Sequence, residues 1–357
     1  REKEGEIDIS TPAANGAMRG TQLYVQVSEN GLSKFQVLEG QVVMKNPQGN
    51  LVLDAGEAGE ALPGQAPRKT AAIIATNLLQ WALYYPAVLD PSELGMNEAD
   101  RLVAADSLQA YGAGDLLGAL EKYPEGAAAS IGGKLYRAGV LLGVGRVDEA
   151  RAGLSGVAAG NPGRRALERM IAAVKFSEKE EWDPESIVTS GEAVAESYYL
   201  QSRSDLRGAR EAAHRATQLT SENGYAWTRL AELEFSFSRT KEATAALENA
   251  LRLTPRNAQT HALKGFVLSA DNLIEEARQS FEEAVRLDGA LGNGWLGLGL
   301  TKIKRGDLKG GRADLQTAAT VEPTVSGFHS YLGKAFSMED KAIDARKDLD
   351  LAKRLDP

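Results

Sequence analysis

Residues 224–257 read GYAWTRLAELEFSFSRTKEATAALENALRLTPRN, and this pattern returns every 34 residues. The same position holds a small residue in four successive copies: Ala243, Ala277, Gly311 and Ala345. A later position holds proline, which stops a helix from continuing, at Pro255, Pro323 and Pro357. Apolar residues three or four apart in each half indicate two helices with one buried face each. A fixed period of this length predicts a small two-helix unit stacked many times.

This spacing resembles the tetratricopeptide repeat (TPR) family. The copies align without gaps as residues 190–223, 224–257, 258–291, 292–325 and 326–357. The resemblance implies a right-handed superhelix of helix pairs that binds another protein or peptide. It also implies that small residues at positions 8 and 20 of each copy let two helix backbones approach closely.

The repeat is looser upstream of residue 190. Residues 100–130 fit a shortened copy, and residues 131–164 fit a further copy with Pro162 at its proline position. Residues 165–175 favour a lone helix. The charged stretch Ser177–Ser186 breaks the register and predicts a loop between two parts of the array.

The amino-terminal part alternates polar and apolar residues instead. Thr21–Ser28 and Lys34–Leu38 alternate with a period of two, and Gln41–Lys45 and Leu51–Asp54 flank a turn at Asn46–Asn50. These are strand and hairpin signals. They predict a small antiparallel sheet.

Short motifs in the same region resemble the FecR domain family. An arginine-glycine-threonine at 19–21, a leucine-glutamate-glycine at 38–40 and an alanine-glycine-glutamate at 55–57 occur in matching order. The resemblance covers the second half of such a domain, roughly residues 8–65. FecR proteins sense signals in the bacterial periplasm and pass them to a sigma factor. The chain shows neither their membrane span nor their cytoplasmic helices, so a docking module and a sensor both stay open.

The fold class expected from these patterns is α+β and multidomain. We expect a FecR-like β domain at 1–65, a linker and connecting helix at 66–99, degenerate TPR-like helices at 100–189 and five TPR repeats at 190–357. The linker is the Pro- and Gly-rich stretch Ala61–Lys69. Thr70–Tyr85 predicts an apolar helix that is too short to cross a bilayer, so it is either buried between the two parts or lies on a membrane surface.

Composition narrows the classes of function. The 357 residues carry a net charge of −8 and no cysteine, which excludes disulfides, thiol nucleophiles and cysteine-bound metals. An acidic chain has no overall attraction for nucleic acid, so we expect no nucleic-acid partner. No signal peptide is visible, and the sequence ends at the proline position of a repeat. We therefore expect a fragment of a longer protein, with self-association possible through uncapped repeat ends.

Few residues suggest chemistry. His214, His261 and His329 lie in different repeats without metal-ligand spacing, and the last two share a position with Trp227 and Trp295. We predict that His261 and His329 are packing residues. The sequence predicts no catalytic residue, no metal site and no cofactor.

The predicted partner site is a groove on the concave face. At about 100° per residue, positions 2, 5, 9 and 12 of each first helix share one face, and the TPR resemblance implies that this face lines the groove. Its candidate residues are Tyr198, Tyr225, Phe235, Phe266, Leu296, Leu300, Ile303 and Lys334. An exposed apolar groove fits a hydrophobic segment of a protein partner. The alternative is that neighbouring helices or other parts of the chain fill it.

These patterns favour a non-enzymatic protein-binding scaffold of the bacterial cell envelope, in the periplasm or at the cell surface. One alternative is a FecR-like regulatory sensor in transmembrane signalling. Another is an accessory region of a larger outer-membrane or export protein. Within this sequence we expect no direct membrane insertion.

Overall fold

A computed structural model describes residues 7–18, 22–27, 31–39, 41–54, 57–70, 89–124, 130–175 and 184–355. This part of the chain consists of an antiparallel β module followed by a long row of α-helices. The expected fold class, a small antiparallel β part followed by a helical solenoid, is confirmed. Most of the helix predicted at Thr70–Tyr85, and most of the loop predicted at Ser177–Ser186, lie outside the described residues.

The β module contains eight strands in its described residues. They are β1 (Ile7–Ser10), β2 (Asn15–Met18), β3 (Gln22–Val27), β4 (Ser33–Glu39), β5 (Gln41–Asn46), β6 (Gly49–Asp54), β7 (Ala58–Ala61) and β8 (Arg68–Thr70). They form two four-stranded antiparallel sheets, in the orders β1-β2-β5-β6 and β3-β4-β7-β8. The single sheet expected from the sequence is therefore divided in two, as apolar side chains from both sheets must meet to exclude water.

A small core holds the two sheets together. Phe35 and Val37 of one sheet and Val42, Met44 and Leu53 of the other are fully buried. The β5–β6 hairpin turns at Asn46, where the sequence predicted that a turn begins. The side-chain oxygen of Asn46 accepts hydrogen bonds from two turn amides at 3.0 and 3.1 Å. The alternation of the sequence therefore predicts the inward face correctly for these strands.

The predicted linker at Ala61–Lys69 is wrong at both of its ends. Ala61 ends β7, and Arg68 and Lys69 lie in β8, which pairs with β7. Arg68 also pairs with Glu60 at 2.7 Å. Pro63 and Gly64 form the turn between these strands rather than a flexible connection, so the β module extends to Thr70, beyond the boundary expected at residue 65.

Six helices precede the regular repeats in the described residues. They are α1 (Glu98–Val103), α2 (Ala105–Ala113), α3 (Leu116–Glu121), α4 (Ile131–Gly143), α5 (Val147–Gly153) and α6 (Pro162–Val174). Pro162 does not end a helix as expected, because it is the first residue of α6. A proline is tolerated there since the first helical residues have no intrahelical acceptor for their N–H groups. Asn161 caps this helix by accepting a hydrogen bond from the Arg164 amide at 3.2 Å.

Five helix hairpins then follow. The first helices are α7 (Ser190–Ser202), α9 (Gly224–Ser236), α11 (Ala258–Ala270), α13 (Gly292–Lys304) and α15 (Ser326–Met338). The second helices are α8 (Leu206–Leu219), α10 (Thr240–Leu253), α12 (Ile274–Leu287), α14 (Leu308–Val321) and α16 (Ala342–Leu355). Every first helix begins at the first residue of a predicted copy, which confirms the 34-residue period and its frame.

Small residues let the two helices of a hairpin approach closely, as predicted for positions 8 and 20. A Cβ atom added to Gly299 would lie 2.7 Å from the carbonyl oxygen of Gly311. A Cβ atom added to Gly265 would lie 2.6 Å from the Phe281 ring. Such distances leave no room for a larger side chain. These positions therefore set the spacing of the helices in the stack.

Candidate functional site

Seven of the eight predicted groove residues are buried. Each is at most 8% exposed: Tyr198, Tyr225, Phe235, Phe266, Leu296, Leu300 and Ile303. Only Lys334 is exposed. The prediction of an open apolar channel is therefore wrong for these seven residues, and the alternative that the protein itself fills the face is what the structure shows.

Part of this burial comes from helices that are neighbours in the stack. The Phe266 ring meets the Phe281 ring edge to face, with centroids 4.9 Å apart. The Arg229 guanidinium lies 3.8 Å from the centre of the Tyr198 ring. Both are favourable aromatic contacts. The side chain at position 9 of a first helix thus packs within the stack instead of facing a bound partner.

A second cause is a segment from far upstream, residues 89–121, which we call the crossing segment. Its Tyr111 ring lies 5.1 Å from the Tyr225 ring, and the Tyr225 hydroxyl donates to the Tyr111 carbonyl at 2.6 Å. The Arg256 amide donates to the Ala113 carbonyl at 2.7 Å. The Arg256 side chain also pairs with Asp115 at 3.0 Å. The crossing segment thus lies along the starts of α9 and α11.

The start of the crossing segment is fixed to α7 by Glu93. The Glu93 carboxylate accepts hydrogen bonds from the Ser190 amide at 2.8 Å, the Gly191 amide at 3.1 Å and the Thr220 hydroxyl at 3.0 Å. Burial raises the pKa of Glu93, although these hydrogen bonds oppose the rise. A carboxylate at a helix N-terminus satisfies amides that have no intrahelical partner, so Glu93 acts as a distant cap.

Polar side chains between the first helices bind one another. The Thr228 and Thr260 hydroxyls are 2.7 Å apart, and Arg229 donates to the Ser197 hydroxyl at 2.8 Å. Arg229 also contacts Glu232 at 2.9 Å, while burial raises the pKa of that carboxyl. Because buried polar groups need such partners, these residues serve the stack.

Aromatic rings at position 4 tie each repeat to the one before it. The ring nitrogen of Trp227 donates to the Ser221 carbonyl at 2.7 Å, and that of Trp295 donates to the Gly289 carbonyl at 2.9 Å. His261 and His329 place Nε2 at 2.8 and 3.0 Å from the equivalent carbonyls of Pro255 and Pro323. A carbonyl only accepts, so Nε2 of each histidine is the donor. The two histidines therefore have the packing role that the sequence predicted.

An open groove lies on the opposite layer, between the second helices α8 and α10. It has a volume of about 860 Å³. Arg210 and His214 line it from α8, and Ala245 and Asn249 from α10. Trp227 and Leu230 of α9 close its base. We call it the α8–α10 groove; sequence reasoning missed it because none of these residues forms a motif.

Two arginines share one buried carboxylate in this groove. Arg210 lies 3.7 Å and Arg239 lies 3.5 Å from the same Glu234 oxygen. Glu234 keeps only 8% of its side chain exposed, against 25% for Arg210 and 48% for Arg239. Arg210 also lies 5.2 Å from the centre of the Phe237 ring, which is 38% exposed. The groove therefore combines cationic groups with aromatic surface.

A smaller cavity of about 340 Å³ lies where the crossing segment meets the starts of α11 and α13. Its three carboxylates already bind backbone amides. Asp115 accepts from Gly118 at 2.8 Å, Asp288 from Ala290 at 2.9 Å and Glu322 from Gly292 at 2.7 Å. Burial raises the pKa of Glu322 despite that hydrogen bond. These acids fasten helix ends and loops.

The described residues lack the features of two other kinds of site. They contain no group of three or more histidine, aspartate or glutamate side chains placed to hold a metal ion. None of their helices has both the length and the apolar character to span a membrane.

Known proteins resemble parts of the chain. Anaphase-promoting complex subunit 3 of Schizosaccharomyces pombe (strain 972 / ATCC 24843) is 27% identical over 143 residues, which are 40% of this chain and 21% of that protein. The chain therefore spans about a fifth of the length of this relative. No protein-family model matches the chain, and the FecR resemblance stays a prediction.

Solved structures resemble the helical array. The APC/C hetero-tetramer Cut9-Hcn1 has a TM-score of 0.51 and 16% identity, over 74% of this chain and 53% of that one. The helical array is a TPR-like solenoid. TTC0263 of Thermus thermophilus, a thermophilic TPR protein, has a TM-score of 0.43 and 17% identity, over 47% of this chain and 97% of that one. PilW, a type IV pilus biogenesis factor, has a TM-score of 0.41 and 19% identity, over 46% and 77% of the two chains. At these identities the likeness concerns the fold.

Proposed function

We propose that the chain is a non-enzymatic protein-binding scaffold of the bacterial cell envelope. The observation that carries this proposal is the row of five helix hairpins whose second helices leave an exposed layer with an open groove of about 860 Å³. Stacked helix pairs present long surfaces to which protein segments bind. The polar clusters described above each serve the stack, which supports recognition over bond-making chemistry.

The envelope location rests on the FecR-like motifs of residues 8–65. It is consistent with a chain that contains no cysteine, because such a chain folds in an oxidising compartment without forming disulfides. The periplasm or the cell surface is the proposed compartment.

The proposal is tested by reciprocal capture. The purified chain, residues 1–357, is immobilised and exposed separately to envelope and cytosolic fractions of the organism that encodes it. We expect one envelope protein to be retained, and that protein, when immobilised, to retain the chain. A failure of reciprocal capture contradicts the scaffold, and reciprocal capture from the cytosol alone contradicts the location.

A regulatory sensor is a second candidate because side-chain charges of the β module act on α15, the first helix of the last repeat. Partial desolvation lowers the pKa of Lys334, and the charges of Glu57 and Lys69 act on the same ammonium group. Glu57 and Lys69 pair at 2.6 Å. In this proposal Lys334 is the predicted groove residue that links the two parts. A Lys334→Gln variant with unchanged hydrogen exchange in strands β7 and β8 would contradict that link.

A further inference from the structure

We propose that the α8–α10 groove binds an extended protein segment that carries a carboxylate side chain next to an apolar one. The carboxylate bridges Arg210 and Arg239, and the apolar side chain packs on Trp227 and Leu230. This inference rests on the proposed scaffold function and names the surface and the chemistry of its partner.

The arginine pair provides unused hydrogen-bonding capacity. Both guanidinium groups contact a single Glu234 oxygen, at 3.7 and 3.5 Å, so the two contacting nitrogens lie within about 7 Å of each other. Each guanidinium has five N–H donors in a planar fork. One long contact each to a shared carboxylate leaves a surplus positive charge and most of these donors available. A second carboxylate placed between the arginines would accept from both.

The base of the groove provides the apolar part of the site. Trp227 is half-buried, and its ring nitrogen donates to the Ser221 carbonyl at 2.7 Å, which orients the ring. On α10 the exposed Ala245 also lines the groove, while Leu230 and Ala246 contribute little surface because they are 6% and 3% exposed. A volume of about 860 Å³ lies in the range of sites that enclose a ligand, roughly 300–1,000 Å³. It therefore accommodates several residues of an extended segment.

The positive charge is local rather than general. Glu211 and Glu242 also line the groove, so we assign recognition to the arginine pair and not to the net charge of the walls. The whole chain carries −8, which disfavours nucleic acid as the anionic partner.

The equivalent cations of the last two repeats show why this arrangement is distinctive. There Glu339 binds Arg312 at 2.8 Å and Lys341 at 2.6 Å. Those contacts are short and separate, so both cations are already matched. In the α8–α10 groove the corresponding contacts are nearly 1 Å longer and share one oxygen atom.

The experiment selects peptides from a displayed library of random octapeptides against the purified chain. We expect the bound peptides to be enriched in aspartate or glutamate next to an aromatic or aliphatic residue. Replacing the acids by their amides in the best peptide should weaken its binding about tenfold or more, since charge-assisted hydrogen bonds are lost. No enrichment of acidic residues, or equal binding of the amide peptide, would overturn the proposal.

A matched pair of variants assigns the peptide to the groove. Ala245→Glu places a negative charge on the exposed wall of the groove and leaves the two arginines and Glu234 unsubstituted. Ala313→Glu makes the same change at the equivalent exposed position of the fourth repeat. We expect Ala245→Glu to weaken binding about tenfold and Ala313→Glu to leave it unchanged. Equal effects would overturn the assignment.

A triple variant tests the arginines themselves. Arg210→Ala and Arg239→Ala are combined with Glu234→Gln, because an unpaired buried carboxylate would destabilise the fold. A folded triple variant, checked by circular dichroism, should lose the preference for acidic peptides. Retention of that preference would overturn the role of the arginines. Reciprocal capture distinguishes the two proposals. If wild type and Ala245→Glu both capture an envelope protein, the scaffold proposal stands and the proposal for the α8–α10 groove fails. If neither captures one while acidic peptides still bind, the scaffold proposal fails.

Discussion

At the scale of single residues, the ring at position 4 links consecutive repeats through one hydrogen bond. Tryptophan and histidine alternate there, as Trp227, His261, Trp295 and His329. They share a flat ring with an N–H at its edge, and each ring points that nitrogen at the carbonyl near the end of the preceding repeat. Position 4 therefore requires a hydrogen-bond donor more than it requires a ring of a particular size.

His261→Phe tests this requirement. Phenylalanine keeps a ring but leaves the Pro255 carbonyl without its donor, which should cost about 1 kcal/mol in the free energy of unfolding. His261→Trp is the control, because it keeps an N–H donor of the kind present in the neighbouring repeats. Urea denaturation followed by circular dichroism compares the three proteins. A midpoint for His261→Phe equal to that of wild type would show that the hydrogen bond contributes nothing.

The sequence predicted the shared position of these rings, but not what they bind. Their partners are backbone carbonyls of the preceding repeat. Every residue has a backbone carbonyl, so a pattern of side chains cannot identify these partners. The left-handed turn residue at position 15 was missed for a related reason. It is serine at Ser204 and Ser238, asparagine at Asn272, glycine at Gly306 and aspartate at Asp340, and all five have a positive φ. Only the two serines have a residue type that gives no sign of this conformation.

At the scale of elements, the starts of α9, α11 and α13 are capped in two ways. Asn223 and Asn257 cap α9 and α11 through their own side chains. The residue before α13 is Leu291, which has no acceptor, and Glu322 from the end of α14 binds the Gly292 amide instead, at 2.7 Å. A buried glutamate thus caps α13 in the way that an asparagine caps α9 and α11. Because a glutamate can be charged, this cap makes the stability of the fold depend on pH.

Glu322→Gln should change how stability varies with pH. Burial raises the pKa of Glu322 above its ordinary value of 4.5, so the folded chain holds this proton to a higher pH than the unfolded chain does. By linkage, its contribution to stability falls as pH rises through that window. Wild type should therefore gain melting temperature relative to Glu322→Gln when the pH is lowered from about 7 to 5.

Glu283→Gln is the control of opposite sign. A hydrogen bond from Arg286 lowers the pKa of Glu283, so the stability that it contributes is lost as the pH falls through its folded-state pKa. Wild type should lose melting temperature relative to this variant only when the pH is lowered further, from about 5 to below the ordinary pKa of 4.5, and the shift should be small because the pair is at the surface. The same trend in both variants would contradict the role assigned to Glu322.

At the scale of the whole molecule, the crossing segment joins early and late parts of the chain. Arg256 and Asp115 are 141 residues apart in sequence. Gly114 makes their approach possible: its φ is +93°, and an added Cβ atom would lie 2.6 Å from the Asn257 amide nitrogen. Buried apolar residues of the crossing segment, from Leu89 to Ala119, belong to the same cluster as Tyr198 and Tyr225, so the crossing segment is part of the core.

Gly114→Ala should release the crossing segment. Gly95→Ala is the matched control, since Gly95 also has a positive φ, +62°, but no atom within 4 Å of an added Cβ. Both variants incur backbone strain of about 1–2 kcal/mol, and only Gly114→Ala also meets the backbone of Asn257, the residue that caps α11. Limited proteolysis should cut residues 89–124 faster in Gly114→Ala than in Gly95→Ala. Equal cleavage rates would show that the contact does not hold the segment.

The period and the frame of the hairpins followed from the sequence, whereas the candidate site did not. Helical spacing grouped Leu296 with Leu300, and both are buried on the same helix, α13. It could not show that Tyr111, more than 100 residues upstream, packs on Tyr225, since contacts between distant segments have no periodicity. The α8–α10 groove was missed because its arginines belong to different repeats.

The central claim is that partners bind the layer of second helices, because the first helices are occupied by the protein itself. Site-specific photo-crosslinking in intact cells of the organism that encodes the chain tests it most directly. The photoreactive residue is placed at position 245 in the groove, at the equivalent position 313, or at Lys334. We predict that one protein crosslinks from position 245 and not from 313 or 334. Crosslinking of a partner from position 334 alone, or equally from all three, would contradict the account.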